Sequence, residues 1–112
     1  MNRSYSQLPH VAFCILLALS LKERHGYEII KQVEDDSNGK IKLGPGALYT
    51  SIKQLRNKGL IAEIVKDDDK QRRYYKLTGA GTKALASELE YYQNVVAIAR
   101  KRQVLSSGYQ RA

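Results

Sequence analysis

Apolar residues come in three rhythms along this chain, and each predicts an element. From Val11 to Leu19 they run almost unbroken (Val11, Ala12, Phe13, Ile15, Leu16, Leu17, Ala18, Leu19), which predicts a first helix from Pro9 to about Lys22. A short helix with no polar face must be buried on most sides, so one side of it is expected to pack outside so small a domain, an early indication of a dimer. His25-Gly26 breaks the run and reads as a turn. Tyr27, Ile30 and Val33 then recur at helical spacing with Ile29 beside them, a second helix that stops near Asp35, where Glu34-Asp35-Asp36 oppose its dipole. Ser37-Asn38-Gly39 is a turn, and Lys40-Ile41-Lys42 could add an edge to a small sheet.

The stretch Leu43 to Gly59 carries its own punctuation. Gly44 can act as N-cap and Pro45 fits the first helical position, where a missing N–H costs nothing. Gly59 fits the left-handed position past the end, and Lys58 suits the dipole in the last turn. Leu48, Ile52 and Leu55 form one apolar stripe. The opposite face holds Ala47, Thr50, Ser51, Lys53, Gln54 and Asn57, small, polar and basic with no acid on it. It can be a plain solvated face. It can also enter a DNA major groove, with Lys53 on phosphate and Gln54 or Asn57 on an adenine edge.

Beyond Gly59 the period changes to two. Leu60 to Lys66 reads as a strand, Asp67 to Gln71 as a charged loop, and Arg72 to Leu77 as a second strand, with Arg73, Tyr75 and Leu77 on one face and Arg72, Tyr74 and Lys76 on the other. The three aspartates would repel phosphate, so contact is expected from Lys70, Gln71 and Arg72 with the acids aimed away. Thr78 is a good N-cap for a last helix, although Gly79 and Gly81 weaken its first turn. Leu85, Leu89, Tyr92, Val96, Ala99 and Gln103 then follow at spacings of four and three, a seam for pairing with another helix. The alternative is packing on the chain's own core; the seam is long for that, which favours a partner subunit.

Composition narrows the function. The 112 residues support one domain, 43% apolar and 27% charged. The expected division is a loose arm over 1–8, in which Arg3 and Tyr5 could touch DNA, a three-helix-plus-hairpin unit over 9–78, a pairing helix over 79–105 and a frayed tail over 106–112. The net charge of +8 is concentrated: residues 40 to 83 hold eleven Lys/Arg against four acids, so a polyanionic partner fits. Cys14 is the one cysteine, inside the apolar run, which reads as a small buried hydrophobe in a reducing, cytoplasmic setting. Lys22-Glu23-Arg24 follow the apolar run at once, which argues against a signal peptide, and the run is too short to span a membrane. His10 and His25 stand alone, no Cys/His set has zinc spacing, and the acids lie in runs. Gly44-Pro45-Gly46 is no phosphate loop, since Pro removes a donor. Neither enzyme, metal nor cofactor is expected.

Three helices followed by a hairpin is a winged helix-turn-helix, whose third helix reads the groove while the hairpin lies along the phosphates. Several runs carry a closer likeness: Leu16-Leu17-Ala18-Leu19 with His25-Gly26-Tyr27-Glu28-Ile29, Leu43-Gly44-Pro45-Gly46-Ala47-Leu48-Tyr49, Leu55-Arg56-Asn57-Lys58-Gly59-Leu60-Ile61 and Arg72-Arg73-Tyr74-Tyr75-Lys76-Leu77-Thr78. Together they resemble the PadR-like transcriptional regulators over roughly residues 8 to 100. The resemblance implies a mainly α winged helix-turn-helix with a long C-terminal dimerisation helix, and a homodimeric repressor on an inverted repeat near a promoter. It places Tyr49 on phosphate or base, with Lys42, Thr50, Lys53 and Gln54 near it, although Tyr49, one residue after core Leu48, could instead pack on the helix-turn-helix scaffold. Gly46 and Ala47 fall on the same helix start. Phe13, Leu16, Leu85, Leu89, Tyr92, Val96 and Ala99 would form the dimer interface, and a small aromatic effector is a possible further partner. The Asp67-Asp68-Asp69 run and the Gly79-Ala80-Gly81 helix start depart from the family pattern. Two other readings stay open: a winged-helix module whose basic face meets an acidic protein, and a ligand sensor that binds DNA weakly until an effector arrives.

Overall fold

A computed structural model describes residues 8–66 and 69–105, with the side chains of Asp69 and Lys70 left aside. The apolar run forms α1, His10–Leu19. It stops three residues short of the expected end, because Ser20 turns back: its Oγ donates to the Leu17 carbonyl at 2.6 Å. Arg24 then passes beneath the helix end, and its buried Nε donates 2.9 Å to the Ala18 carbonyl, one of the acceptors a helix terminus leaves open. Arg24–His25 form β1 where a turn was expected. This strand takes the sheet edge that Lys40-Ile41-Lys42 was expected to supply; those three residues carry no strand pairing.

The second helix, α2, is Gly26–Asp36. His25 caps it, with Glu28 Oε1 accepting from the His25 N–H at 3.1 Å. Asn38 and Gly39 both take left-handed backbone, φ 56° and 82°, and turn the chain as anticipated. The third helix, α3, is Pro45–Asn57, with extended Gly44 as N-cap. Its end is a Schellman closure: Gly59, at φ 75°, donates to Arg56 O at 2.9 Å, and Leu60 N–H reaches Leu55 O at 3.0 Å.

The hairpin is β2, Ile61–Lys66, and β3, Asp69–Leu77. The sheet is antiparallel in the order β1-β3-β2, with Ile61 opposite Leu77 and His25 opposite Tyr74. Strand β3 begins three residues before the expected Arg72, so Lys70 and Gln71 lie on a strand and not in a loop. The expected aim of Asp67 and Asp68 falls outside the described residues, as do the side chains of Asp69 and Lys70. The last helix, α4, is Gly79–Lys101. Thr78 caps it by accepting from Gly81 N–H at 3.0 Å. The helix ends before Gln103, which sits at φ 63° beyond the seam it was expected to join.

One apolar core joins the layers. Ile15 and Leu16 of α1, Ile29 and Val33 of α2, Leu48, Ile52 and Leu55 of α3, Ile61 and Tyr75 of the sheet and Leu85 of α4 are all buried in it. Burial of this kind is worth roughly 1.5–3 kcal/mol per large side chain. It holds α3 by its Leu48–Ile52–Leu55 stripe alone and leaves the rest of that helix outward.

Candidate nucleic-acid interface

Because three positions of α3 face the core, most of the remainder faces solvent. Gly46, Ala47, Tyr49, Thr50, Lys53, Gln54 and Asn57 are all exposed. A Cβ added at Gly44 or Gly46 would meet nothing, so the helix start is open to close approach. Lys42 lies just before the helix, exposed, with its Nζ 4.0 Å from Glu34.

Two open clefts flank this helix, and Tyr49, Arg73 and Tyr75 line both. One, of about 470 Å³, lies between α3 and the hairpin and adds Lys53, Arg56 and Asn57. The other, of about 880 Å³, lies at the start of α2 and adds Tyr27, Gln71 and Arg72. The structure therefore brings Tyr49, Lys53, Gln71 and Arg72 onto one continuous surface. Arg73 and Tyr27 belong there too and were not among the expected contacts. Strand alternation had put Arg73 with Tyr75, but nothing in one chain's pattern says that Tyr75 would anchor in the core beside α3.

The charges on this surface are organised. Glu63 on β2 lies 3.0 Å from Arg56 and 3.8 Å from Arg73, so one carboxylate spans helix and hairpin. Lys66 pairs with Glu23 at 3.6 Å and lies 4.7 Å over the Tyr74 ring. Arg72 Nη1 donates to His25 Nε2 at 2.8 Å. A neutral imidazole accepts on one nitrogen only, so the 3.4 Å contact of Nδ1 with Glu28 N–H competes with this bond, and the shorter one is the stronger. His25 is thus a buried joint between α2 and the hairpin, edge-on to Tyr74 at 5.3 Å. Burial, then the Glu63 and Tyr49 charges, push the Tyr75 hydroxyl above its usual range against the pull of Arg73 and Arg56.

The expected pairing residues divide. Leu16 and Leu85 sit in the chain's own core, 0% and 6% exposed, and are removed from the outward set: an all-round apolar helix and a regular seam do not say which positions the chain covers itself. Phe13 and Tyr92 are half-buried against each other, ring centroids 5.3 Å apart. Val96 and Ala99 are half-buried. Leu89 is exposed, and so are Val95 and Ile98, which the seam did not include.

Among the described residues no group of three or more His, Cys, Asp or Glu could hold a metal ion. Cys14 lies 3.7 Å from His10, its thiol pushed above the ordinary range by burial and then by Asp36. No described helix is long and apolar enough to cross a membrane.

Comparison with known proteins bears on this surface. Residues 15–87 match the family described as Transcriptional regulator PadR-like. An uncharacterized protein of Lysinibacillus sphaericus is 33% identical over 82 residues, 71% of this chain and 74% of its own length. The crystal structure of a PadR family transcription regulator from Clostridium difficile superimposes with a TM-score of 0.72 at 24% identity, covering 85% of this chain and 99% of that one. Bacillus subtilis PadR, solved in complex with operator DNA, gives a TM-score of 0.64 at 22% identity, covering 72% of this chain and 47% of that one. At such identities these two structures speak for the fold: winged helix followed by a long C-terminal helix.

Proposed function

Since the chain belongs to the PadR-like family of transcriptional regulators, we propose that it binds DNA sequence-specifically as a homodimer and represses transcription from an inverted-repeat operator. The observation that carries this is the continuous basic surface in which the exposed face of α3 meets β3 through Tyr49, Arg73 and Tyr75. In this reading α3 enters the major groove, with Gly46 and Ala47 allowing close approach and Thr50 and Gln54 at base edges. Lys42, Lys53, Gln71 and Arg72, together with Arg73, hold phosphates. The Tyr49 hydroxyl donates to phosphate as well; no described residue bonds it, and the side chain is half exposed. The Bacillus subtilis relative of the same fold was solved in complex with operator DNA, which supports DNA as the ligand.

Dimerisation in this proposal uses the outer strip of α4, where Leu89, Val95 and Ile98 are exposed beside Tyr92, Val96 and Ala99. An apolar strip of this kind on a soluble chain marks an association surface. Two dimer-related copies would place two α3 helices for the two halves of a repeat.

The test is footprinting on the DNA flanking the protein's own gene, followed by a salt titration. A protected inverted repeat, with log affinity falling linearly in log salt at a slope of several, is expected. Failure to bind this DNA at low salt would favour a module that docks an acidic protein.

One observation favours an effector-responsive form of the same function. An apolar pit of about 470 Å³, lined by Phe13, Cys14, Leu17, Val33 and Ile41, lies beside the connector that leads into α3. Its size suits a small aromatic molecule. Gel shifts with and without such compounds test it.

A further inference from the structure

Gly26 is hard to account for by its backbone. It opens α2, is buried, and has no positive φ, so its conformation is open to any residue. Glycine in a helix is a poor choice, costing up to about 1 kcal/mol against alanine. Space gives the reason. A Cβ on Gly26 would overlap Tyr49 Oη, stand 3.1 Å from Tyr49 Cζ and 3.3 Å from Leu48 Cδ2. The tip of Tyr49 therefore rests in the notch that the missing side chain leaves. Leu48, next to Tyr49 on α3, is fully buried and fixes the base of the same turn.

We infer that Gly26 is a positioning residue for DNA binding: its empty side-chain position seats the Tyr49 ring so that the hydroxyl is held between the two basic clefts, ready for one backbone phosphate. The inference rests on the proposal that Tyr49 contacts phosphate. The ring has two places to be. With glycine at 26 it lies back against the start of α2, beside Arg72, Arg73 and Tyr75. With any larger residue there the flexible tip must swing outward, and the hydroxyl leaves the line of guanidinium groups. The main obstacle is the tip of a half-exposed side chain and not backbone, while buried Leu48 Cδ2, at 3.3 Å, has to give by a few tenths of an ångström. The loss of affinity therefore exceeds what the small strain on the core accounts for.

A double-mutant cycle on the duplex upstream of the protein's own gene tests this. Tyr49→Phe removes the hydroxyl and weakens binding about tenfold, the size of one hydrogen bond to a charged group. Gly26→Ala weakens it about tenfold as well, by moving the same hydroxyl. Combined, the two changes cost little more than either alone, because the hydroxyl that Gly26→Ala displaces is already gone in Tyr49→Phe. Thermal unfolding of Gly26→Ala stays cooperative, with a midpoint lowered by no more than a few degrees, which loss of structure would not give. Should Gly26→Ala alone fold poorly, Gly26→Ala in a Tyr49→Ala background restores folding and binds as Tyr49→Ala does. Affinities that multiply in the double variant, or a Gly26→Ala protein that binds as well as the unsubstituted one, overturn the inference while leaving DNA binding intact. No binding by the unsubstituted protein overturns both.

Discussion

Two glycines stand two residues apart at the start of α4, and replacing each with alanine should move stability in opposite directions. At Gly79 an added Cβ meets nothing. At Gly81 it would overlap the Leu60 carbonyl oxygen and stand 3.0 Å from its carbon and 3.4 Å from Leu60 Cα. The obstacle is backbone, and it is pinned: Leu60 O accepts from Thr78 N–H at 3.1 Å, and Thr78 Oγ1 donates to Gly59 O at 2.6 Å. Forcing a methyl into a packed site costs about 1–3 kcal/mol, and pulling Leu60 O off Thr78 forfeits about 1 kcal/mol more. Helix propensity returns up to about 1 kcal/mol. The net for Gly81→Ala is a loss of about 2 kcal/mol, against a gain of about 0.5–1 kcal/mol for Gly79→Ala. Circular-dichroism melts at one fixed protein concentration, which matters if the chain self-associates, read this directly. At roughly 4 °C per kcal/mol for a domain of this size, Gly81→Ala lowers the midpoint by about 8 °C and Gly79→Ala raises it slightly. A Gly81→Ala protein as stable as the parent, or both variants moving together, would show that α4 does not dock on the α3–β2 junction as described.

Lys53→Ala and Arg73→Ala should each weaken DNA binding with melting unchanged, Lys53→Ala reducing the salt slope by about one and Arg73→Ala by less, since Glu63 already partners it; unaltered affinity in both would remove the groove between α3 and the hairpin from the interface. Leu89→Glu should yield monomers by sedimentation, and a persistent dimer would mean that the outer strip of α4 is not the pairing surface. Glu88 is buried with Oε2 unpartnered among the described residues, so Glu88→Met should stabilise by about 1 kcal/mol in urea unfolding, and a loss would point to a partner for that carboxylate. Cys14 and Tyr75 are held above their ordinary values of 9.0 and 10.0, chiefly by burial. The folded state then binds more protons than the unfolded one at alkaline pH, so stability is full below about pH 9 and falls as pH rises beyond it. Tyr75→Phe should blunt that fall, and a urea midpoint flat across this window would refute the shift.

Local signals were the legible ones. Gly44, Pro45 and Gly59 bracket α3 in the sequence as they do in space, and Thr78 caps α4 as its side chain suggests. The hairpin's alternation placed Tyr75 and Arg73 on one face. What stayed hidden depends on contacts between distant segments. A two-residue strand has no periodicity, so nothing marks Arg24–His25 as a strand until β3 pairs with it, and His25-Gly26 read as a turn. Leu16 and Leu85 look like the rest of their apolar stripes and differ only in what the chain folds over them. Gly26 read as part of a turn and Gly81 as a weakness of its helix, because the Tyr49 tip and the Leu60 carbonyl that require them come from elsewhere in the chain.

Glu63 has a consequence for how the charge of this surface should be weighed. A carboxylate shared by Arg56 and Arg73 acts as a resident counterion. An arginine already neutralised by the protein holds fewer ions from solution, so it releases fewer when a phosphate arrives. Affinity will therefore respond to salt less steeply than a count of basic side chains suggests. Removing that one acid should make the protein bind nucleic acid more tightly and more indiscriminately at low ionic strength, with a heavier penalty when salt is added.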